Sequence, residues 1–254
     1  MKILLISDIH GNIEPFNEIV KNENFDEVLF LGDAVDYGPK PAEVIDKLKE
    51  LGAKSVLGNH DNALIYNIDC MCGEATHWIS VYFRENYTKK MVNRSQIDYL
   101  KNFKIKLEID IDGFGKGLLT HGSPSNPLYG YLYPWLSDDN ITKMLYKELR
   151  LKSDENKTPK LAYDIYLIGH THYQFMKKIN NSIIINPGSA GEPRDNDYRA
   201  AYAIIDTETK NIILKRIKYN VDKVIRNLED LKIPNPYLTH LKYMFINGSV
   251  LMKK

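Results

Sequence analysis

Five times along this 254-residue chain, a short apolar run stops at side chains that can bind metal ions. Those side chains are Asp8 and His10, Asp33, Asn59 and His60, His121, and His170 and His172. A glycine stands beside almost every one of them and permits tight backbone bends. In α/β sheets, ligands gather beyond the carboxyl ends of strands, so residues far apart in sequence can meet there. The pattern predicts an α/β fold with a metal site at its strand ends.

The donor atoms of this set are oxygens and imidazole nitrogens, without a thiolate. Such donors favour manganese, iron, nickel, cobalt or zinc at a catalytic site, and the histidines argue against magnesium or calcium alone. Each segment alone also has a plainer interpretation. Asp8-Ile9-His10 could be a turn or a cap, and Gly58-Asn59-His60-Asp61 could be a loop that enters a helix. Their joint occurrence at strand ends favours the metal site.

The first half of the chain predicts parallel strands joined by helices. Residues 2–7, 28–31 and 54–57 are short runs typical of buried strands, and residues 13–22 and 41–51 have helical spacing. This order implies right-handed crossovers in a parallel layer. Residues 62–103 have helical periodicity without a strand signal, which predicts a helical insertion beside the site. Residues 104–120 then predict a hairpin around Asp112-Gly113-Phe114-Gly115.

The second half predicts more strands than helices. Residues 123–134 have the composition of an irregular loop, and residues 138–152 and 221–232 predict helices. Short runs predict mainly antiparallel strands at 163–168, 174–179, 182–186, 199–206 and 211–219. The tail from Pro234 has no clear signal. No linker interrupts the sequence, and we expect one domain over residues 1–254.

Composition narrows the classes of partner. The 34 Lys and Arg residues balance 33 Asp and Glu residues, so nothing predicts broad binding to nucleic acid, membranes or acidic proteins. No segment approaches the roughly 20 apolar residues of a membrane span, and the apolar run at the start is too short for a signal peptide. Two cysteines are too few for a disulfide framework and suit a reducing cytoplasm. The sequence does not indicate the oligomeric state.

Five segments resemble the five sequence blocks of the calcineurin-like metallophosphoesterases: Asp8-Ile9-His10-Gly11, Gly32-Asp33, Gly58-Asn59-His60-Asp61, His121-Gly122 and Gly169-His170-Thr171-His172. The resemblance covers residues 8–172, and no metal-ligand position is missing. It implies the fold of that family, a four-layer α/β/β/α sandwich of two mixed β-sheets with helices outside both. It also implies a metal-dependent hydrolase of phosphate esters.

The resemblance assigns the ligands to two divalent metal ions. Asp8, His10 and His172 would hold one ion, and Asn59, His121 and His170 the other. Asp33 would bridge the two ions, because a carboxylate offers two anionic oxygens, and Asn59 would add a neutral oxygen. We expect manganese first, with nickel, iron, cobalt or zinc as alternatives. A bound water, its pKa lowered towards about 7, would attack the phosphorus in line.

The same pattern suggests catalytic and substrate-binding residues. His60, beside the leaving group, would act as general acid and contact the substrate together with Asn59. Asp36 would pair with His60 and favour its charged form, although a solvated turn residue is the plainer interpretation. Arg194 lies in a loop that resembles a segment beside the site of small prokaryotic members. It could hold a phosphate oxygen, or it could be an ordinary surface arginine.

Two departures from the family pattern narrow the substrate. Relatives that dephosphorylate proteins carry arginine where this chain has Tyr37, and two glycines where it has Gly122-Ser123. The sequence therefore favours a small phosphodiester, nucleotide or phosphomonoester as substrate. One alternative is a dinucleoside polyphosphate hydrolase or a nuclease, and the balanced charge disfavours the nuclease. Another is a non-catalytic scaffold, which the intact ligand set disfavours.

Three further features receive no role from the sequence. Cys70-Met71-Cys72 with His77 fits no standard zinc module and lies in a predicted helix, so we expect packed core. The loop aromatics could stack a nucleoside base or cover the sheet; they are Tyr129, Tyr131, Tyr133 and Trp135. The lysine-rich end, residues 242–254, predicts a solvated edge.

Overall fold

Ten strands form two mixed five-stranded sheets in the computed structural model, which describes residues 1–146 and 161–251. The strands are β1 (Lys2–Ile6), β2 (Glu27–Phe30), β3 (Lys54–Ser55), β4 (Lys106–Ile111), β5 (Gly115–Thr120), β6 (Ile165–Leu167), β7 (Gln174–Ile179), β8 (Ser182–Pro187), β9 (Ala200–Asp206) and β10 (Asn211–Ile217). The first sheet has the order β10-β9-β1-β2-β3, and the second has the order β4-β5-β6-β8-β7. Strands β1, β2 and β3 pair in parallel, as the sequence predicts.

Strand β1 shows how the sheets are stacked, because its side chains alternate between two hydrophobic clusters. Ile3 and Leu5 belong to the cluster between the sheets, which also contains Leu119 and Leu167 of the second sheet. Leu4 and Ile6 point the other way, into the cluster beneath the helices. Full burial of each such side chain contributes about 1.5–3 kcal/mol. An apolar run without polar alternation is thus the signature of a strand covered on both faces.

Nine helices lie within the described residues: α1 (Ile13–Asn22), α2 (Pro41–Glu50), α3 (Asn59–Tyr66), α4 (Glu74–Phe83), α5 (Lys89–Met91), α6 (Arg94–Leu100), α7 (Asp138–Leu145), α8 (Val221–Asp230) and α9 (Tyr237–Asn247). A π-helical turn, Arg84–Thr88, joins α4 to α5. Phe16 of α1 and Val44 of α2 pack onto the first sheet. Ile141 of α7 packs with Tyr166 and Ile184 on the outer face of the second sheet. The predicted four-layer α/β/β/α sandwich is confirmed.

The structure corrects several local predictions. Strand β6 pairs in parallel with both β5 and β8, so the second sheet is mixed rather than mainly antiparallel. Strand β9 does not belong to that sheet, because it pairs with β1 of the first sheet. Helix α3 already begins at Asn59, and the unassigned tail forms α9. The predicted helix 138–152 is present up to Leu145, and its residues 147–152 lie outside the described part. None of the helices described is long and apolar enough to span a bilayer.

Candidate active site

Seven side chains of the types that bind metals lie just beyond the carboxyl ends of five strands. They follow β1 (Asp8 and His10), β2 (Asp33), β3 (Asn59), β5 (His121) and β6 (His170 and His172). Each is at most 3% exposed. Three of these strands belong to one sheet and two to the other, so both sheets contribute to one site.

One group of ligand atoms contains Asp8, His10 and His172. The Nε2 atoms of the two histidines lie 3.2 Å apart, and Nε2 of His172 is 3.3 Å from Oδ1 of Asp8. The other nitrogen of each ring is held by the backbone: Nδ1 of His10 donates to the Val35 carbonyl at 2.8 Å. Such a bond fixes the tautomer that leaves Nε2 for a cation.

A second group contains Asn59, His121 and His170. Oδ1 of Asn59 lies 2.9 Å from Nε2 of His121, and Nδ1 of His170 is 3.1 Å from that same nitrogen. The amide nitrogen of Asn59 donates to the Cys70 carbonyl at 2.7 Å, so its oxygen is the atom turned into the site. Nδ1 of His121 donates to the Leu31 carbonyl at 2.7 Å.

Asp33 lies between the two groups. Its Oδ2 is 3.7 Å from Nε2 of His10 and 3.2 Å from Nε2 of His121. Its Oδ1 accepts a hydrogen bond from the backbone N–H of His60 at 2.9 Å. The family resemblance implies that both oxygens of this carboxylate bind cations, whereas the structure turns only Oδ2 toward both groups. Oδ1 is engaged by the helix α3 terminus instead.

Asp61 fixes the backbone around Asp33. Its carboxylate accepts from the backbone N–H groups of Asp33 at 2.8 Å, Ala34 at 2.9 Å and Gly58 at 3.2 Å. These bonds tie the loop after β2 to the start of α3. The sequence contains Asp61 in the quoted motif but gives no signal for this role.

The residues present fit divalent cations. Within the described part of the chain, Oδ1 of Asp8 and Nε2 of His170 are buried without a hydrogen-bond partner. A buried polar atom left unpaired costs about 1–3 kcal/mol. Facing imidazole nitrogens 3.1–3.2 Å apart can share only one proton. A cation in each group would take the lone pair of Asp8 Oδ1 and those of the facing imidazole nitrogens, which for His170 is Nδ1 and not Nε2.

The protonation tendencies of the four histidines support the same conclusion. Burial lowers the pKa of His10 to about 3 and that of His170 well below its ordinary value, which leaves them neutral as ligands must be. Burial also opposes the charged form of His121, but the Asp33 carboxylate outweighs it and raises the pKa to about 9. In His172, burial and Arg194 are outweighed by Asp8, which likewise gives a pKa of about 9. The buried carboxylates thus attract positive charge into both groups.

Five of the seven ligand residues have left-handed backbone. The φ angles are 52° at Asp8, 48° at His10, 64° at Asp33, 68° at His170 and 62° at His172. This region costs a side-chain-bearing residue roughly 1–2 kcal/mol. Strain of this kind collects at functional sites, where it orients side chains that regular structure would point elsewhere.

His60 and Asp36 form a buried pair beside the ligands. Nδ1 of His60 lies 2.9 Å from Oδ2 of Asp36. Asp36 also accepts from Arg84 Nη1 at 2.7 Å and from Thr88 Oγ1 at 3.0 Å, so it is not a solvated turn residue. Burial disfavours the His60 cation, but Asp33 and the bond to Asp36 outweigh it and raise the pKa. Arg84 and Thr88 come from the π-helical turn and carry no motif.

Arg194 is mostly buried rather than an ordinary surface arginine. Its side chain is 15% exposed and lies over the Tyr37 ring, with the guanidinium carbon 5.8 Å from the ring centroid. Nε and Nη2 donate to Glu192 at 3.0 and 2.8 Å. Glu192 in turn lies 2.9 Å from Nδ1 of His172. We assigned no role to Glu192 from the sequence, although it stands two residues before Arg194.

Alternating aromatic side chains form a ladder that starts at a ligand. The Tyr131 ring lies 4.0 Å from the His170 ring, Tyr133 stacks 5.7 Å beyond Tyr131, and Trp135 stacks 4.7 Å beyond Tyr133. Trp135 is 63% exposed. Tyr129 is not part of the ladder, because it packs against the core beneath the helices.

The family model described as the calcineurin-like phosphoesterase superfamily domain matches residues 1–210. The chain belongs to this superfamily. The resemblance noted in the sequence is thereby confirmed, and so is the prediction of a phosphoester hydrolase. Family members use divalent metal ions, which agrees with the ligand groups of this superfamily member.

Three relatives are similar to this chain over different lengths. A phosphodiesterase of Methanocaldococcus jannaschii is 26% identical over 220 residues, 83% of this chain and 95% of that protein. A symmetrical bis(5'-nucleosyl)-tetraphosphatase of Nitrosococcus oceani is 41% identical over 71 residues, 26% of each chain. The crystal structure of a metallophosphoesterase from Sphaerobacter thermophilus has a TM-score of 0.73 at 25% identity, and the match covers 98% of this chain and 100% of that one.

Proposed function

We propose that this phosphoesterase hydrolyses a small phosphodiester, nucleotide or phosphomonoester with two divalent cations. The observation that carries the proposal is the position of Asp33 Oδ2, within 3.7 Å of His10 Nε2 and 3.2 Å of His121 Nε2. A single anionic oxygen between two ligand groups is suited to join two cations. Asp8, His10 and His172 would hold one, and Asn59, His121 and His170 the other. Manganese is our first choice, because the donors are oxygen and imidazole nitrogen.

The cations would supply charge neutralisation at the phosphate and an activated water, as two-metal sites do. The protein residues around the cations would set the charge that faces the substrate. Asn59 presents a neutral oxygen, which limits the negative charge that faces an anionic ester. Arg194 adds positive charge, but its Nε and Nη2 already bond Glu192, so a contact to phosphate would use its remaining N–H groups.

We assign the proton transfer to His60. Asp36 holds Nδ1, so Nε2 is the atom that donates its proton to the departing oxygen. Arg84 and Thr88 hold Asp36 in turn and keep it in place. His60 is thus a catalytic residue in this proposal, and Asp36 is a positioning residue.

The test is a substitution at the bridging carboxylate. Purified protein with manganese should hydrolyse a chromogenic phosphodiester or monoester, and Asp33→Asn should lose most of that activity together with bound metal. The exposed Asp98→Asn is the matched control and should keep both. Full activity of Asp33→Asn would contradict the bridging role, and no turnover with manganese, nickel or cobalt across mono-, di- and polyphosphate esters would favour a scaffold.

The aromatic ladder favours a second, narrower candidate, a nucleoside-containing substrate such as a dinucleoside polyphosphate. A base on the outer face of Trp135 would continue a ladder that starts at His170. Base stacking on an aromatic side chain contributes about 1–3 kcal/mol. Trp135→Ala should therefore raise KM about 5-fold to 150-fold for diadenosine tetraphosphate and leave a chromogenic diester unchanged. Equal effects on both substrates would remove this candidate. The balanced charge still disfavours a nuclease, and the cytoplasmic location stays a prediction.

A further inference from the structure

The two cysteines of the chain lie side by side in the loop between α3 and α4. Their Sγ atoms are 2.9 Å apart, with Cys70 buried and Cys72 partly exposed. The sequence predicted a helix here, which is wrong. Met71 between them has a left-handed φ of 48°, so the chain turns at this residue and the two sulfurs meet.

The sulfurs have polar neighbours, unlike cysteines that only fill a core. Oγ of Ser80 lies 3.3 Å from Cys70 Sγ and 3.2 Å from Cys72 Sγ, and the Tyr37 hydroxyl donates to Cys72 at 3.9 Å. A ring nitrogen of His60 and both sulfurs all lie within 4.8 Å of one another.

Cys72 also gives this group a route to solvent. It lines an open surface depression of about 430 Å³ together with Met71, Glu74, His77 and Trp78. A cation can therefore reach the sulfurs without passing through the ligand groups of Asp33.

We propose that Cys70, Cys72 and His60 form a third cation site, which takes a thiophilic cation such as Zn²⁺ or Cd²⁺. Two thiolates and an imidazole are the donors that select such cations, whereas the oxygen-rich groups around Asp33 suit manganese. Zinc lies about 2.3 Å from each thiolate in a tetrahedral site, which needs the sulfurs farther apart than 2.9 Å. Cys72, partly exposed on its loop, is the residue that moves. Each thiol gives up its proton to solvent as the cation binds.

Occupation of this site would stop catalysis. Whichever ring nitrogen binds the cation, His60 would lose either the proton that it donates or the Nδ1 contact with Asp36 that favours its charged form. Only this consequence rests on the proposed function, because the binding itself depends on the sulfurs and the imidazole. The site would make the enzyme sensitive to free zinc or cadmium through its two sulfurs, in addition to any exchange of these cations for manganese at the Asp33 groups.

The experiment is a Cd²⁺ titration of the full chain in excess Mn²⁺, followed by thiolate-to-cadmium charge-transfer absorption. The chain has two cysteines, so this absorption reports a cation bound to Cys70 or Cys72 and not one bound to the Asp33 groups. We expect saturation at one equivalent. Cys72→Ser should weaken binding by more than the roughly 10–100-fold that loss of an outer-shell partner costs. Absence of the absorption in the wild-type protein would overturn the proposal, whether or not a variant folds.

Two histidine variants locate the third ligand. Asp69, Cys70 and His77 form a neighbouring group, so a cation could lie on that side of Cys70 instead. His60→Gln should weaken Cd²⁺ binding and His77→Gln should not, and the reverse result would refute the site. In the activity assay, Cd²⁺ should inhibit the wild type at concentrations that Cys72→Ser tolerates. If the chain hydrolyses no phosphate ester, the absorption experiment still decides.

Discussion

Nδ1 of His60 lies 2.9 Å from Oδ2 of Asp36, and the Arg84 guanidinium bonds that same oxygen at 2.7 Å. One buried carboxylate therefore serves a candidate catalytic histidine and a structural ion pair. A substitution at Asp36 changes both, and the two effects can be measured separately.

Asp36→Asn should slow turnover, most with poor leaving groups, and should reduce stability. The amide removes the charge that favours protonated His60, and it leaves Arg84 buried without its anion. Breaking a buried pair in this way costs about 3–5 kcal/mol. Urea unfolding gives the free-energy change, and rates with a series of phenyl esters give the leaving-group dependence.

Thr88→Val is the matched control for that change. It removes one hydrogen bond to Asp36, of about 1 kcal/mol, and keeps the charge pair. Equal leaving-group dependence in wild type and Asp36→Asn would disprove the positioning role of Asp36.

Glu192→Gln should weaken binding of one of the two metal ions. The Glu192 carboxylate lies 2.9 Å from Nδ1 of His172, and loss of an outer-shell partner typically costs about 10–100-fold in affinity. The backbone carbonyl of Glu192 also accepts from that nitrogen and remains in the variant, so we expect a loss near the lower end of this range. The other ligand group has no contact with this carboxylate in the described structure, so only one of two binding steps should change. Calorimetric titration with Mn²⁺ measures both steps. The exposed Glu208→Gln should leave both unchanged, and a uniform loss in Glu192→Gln would mean general unfolding of the site.

Gly58→Ala should disrupt the metal site through Asp33. A Cβ atom at this position would lie 2.1 Å from Asp33 Oδ1 and 2.2 Å from its backbone nitrogen. We expect metal content and activity to fall at least about tenfold, because small displacements of catalytic groups have large effects. At Gly73 the nearest atom to an added Cβ is the Tyr131 hydroxyl at 3.8 Å, so Gly73→Ala should retain both. Elemental analysis and a chromogenic assay compare the two variants.

Added Mn²⁺ should stabilise the folded protein. Binding to the native state alone contributes about 2.7 kcal/mol per site at a free concentration 100 times Kd. A cation would also satisfy Asp8 Oδ1, which is buried without a partner. Thermal unfolding with Mn²⁺ and with a chelator measures the difference. An unfolding midpoint that does not change with Mn²⁺ would argue against occupied metal sites.

Much of the fold and of the site could be predicted, because each ligand follows a strand in the sequence. Asp8, Asp33 and His121 were found in this way, since strand ends carry ligands whatever the strand order is. The predicted pairing of the second half was less accurate. Three-residue β6 has no alternation to distinguish a central parallel strand from a hairpin strand.

The supporting residues could not be found from local patterns. Arg84 and Thr88 reach Asp36 across 48 and 52 positions, from a π-helical turn with no motif. Cys70 and Cys72 were expected in a helix, because residues 62–103 are mostly helical and their loop is short. Contacts between such segments depend on tertiary packing, which single-sequence patterns do not contain.

Five candidate ligands have left-handed backbone, which lowers thermal stability, whereas their side chains are needed for turnover. They are Asp8, His10, Asp33, His170 and His172. Glycine adopts that conformation without the strain, and asparagine adopts it more readily than most residues. A selection for thermal stability alone would therefore favour glycine or asparagine at these positions, and the selected proteins would be inactive. Homologues that carry glycine or asparagine at these positions would accordingly be the first candidates for proteins that have gained thermal stability and lost hydrolysis.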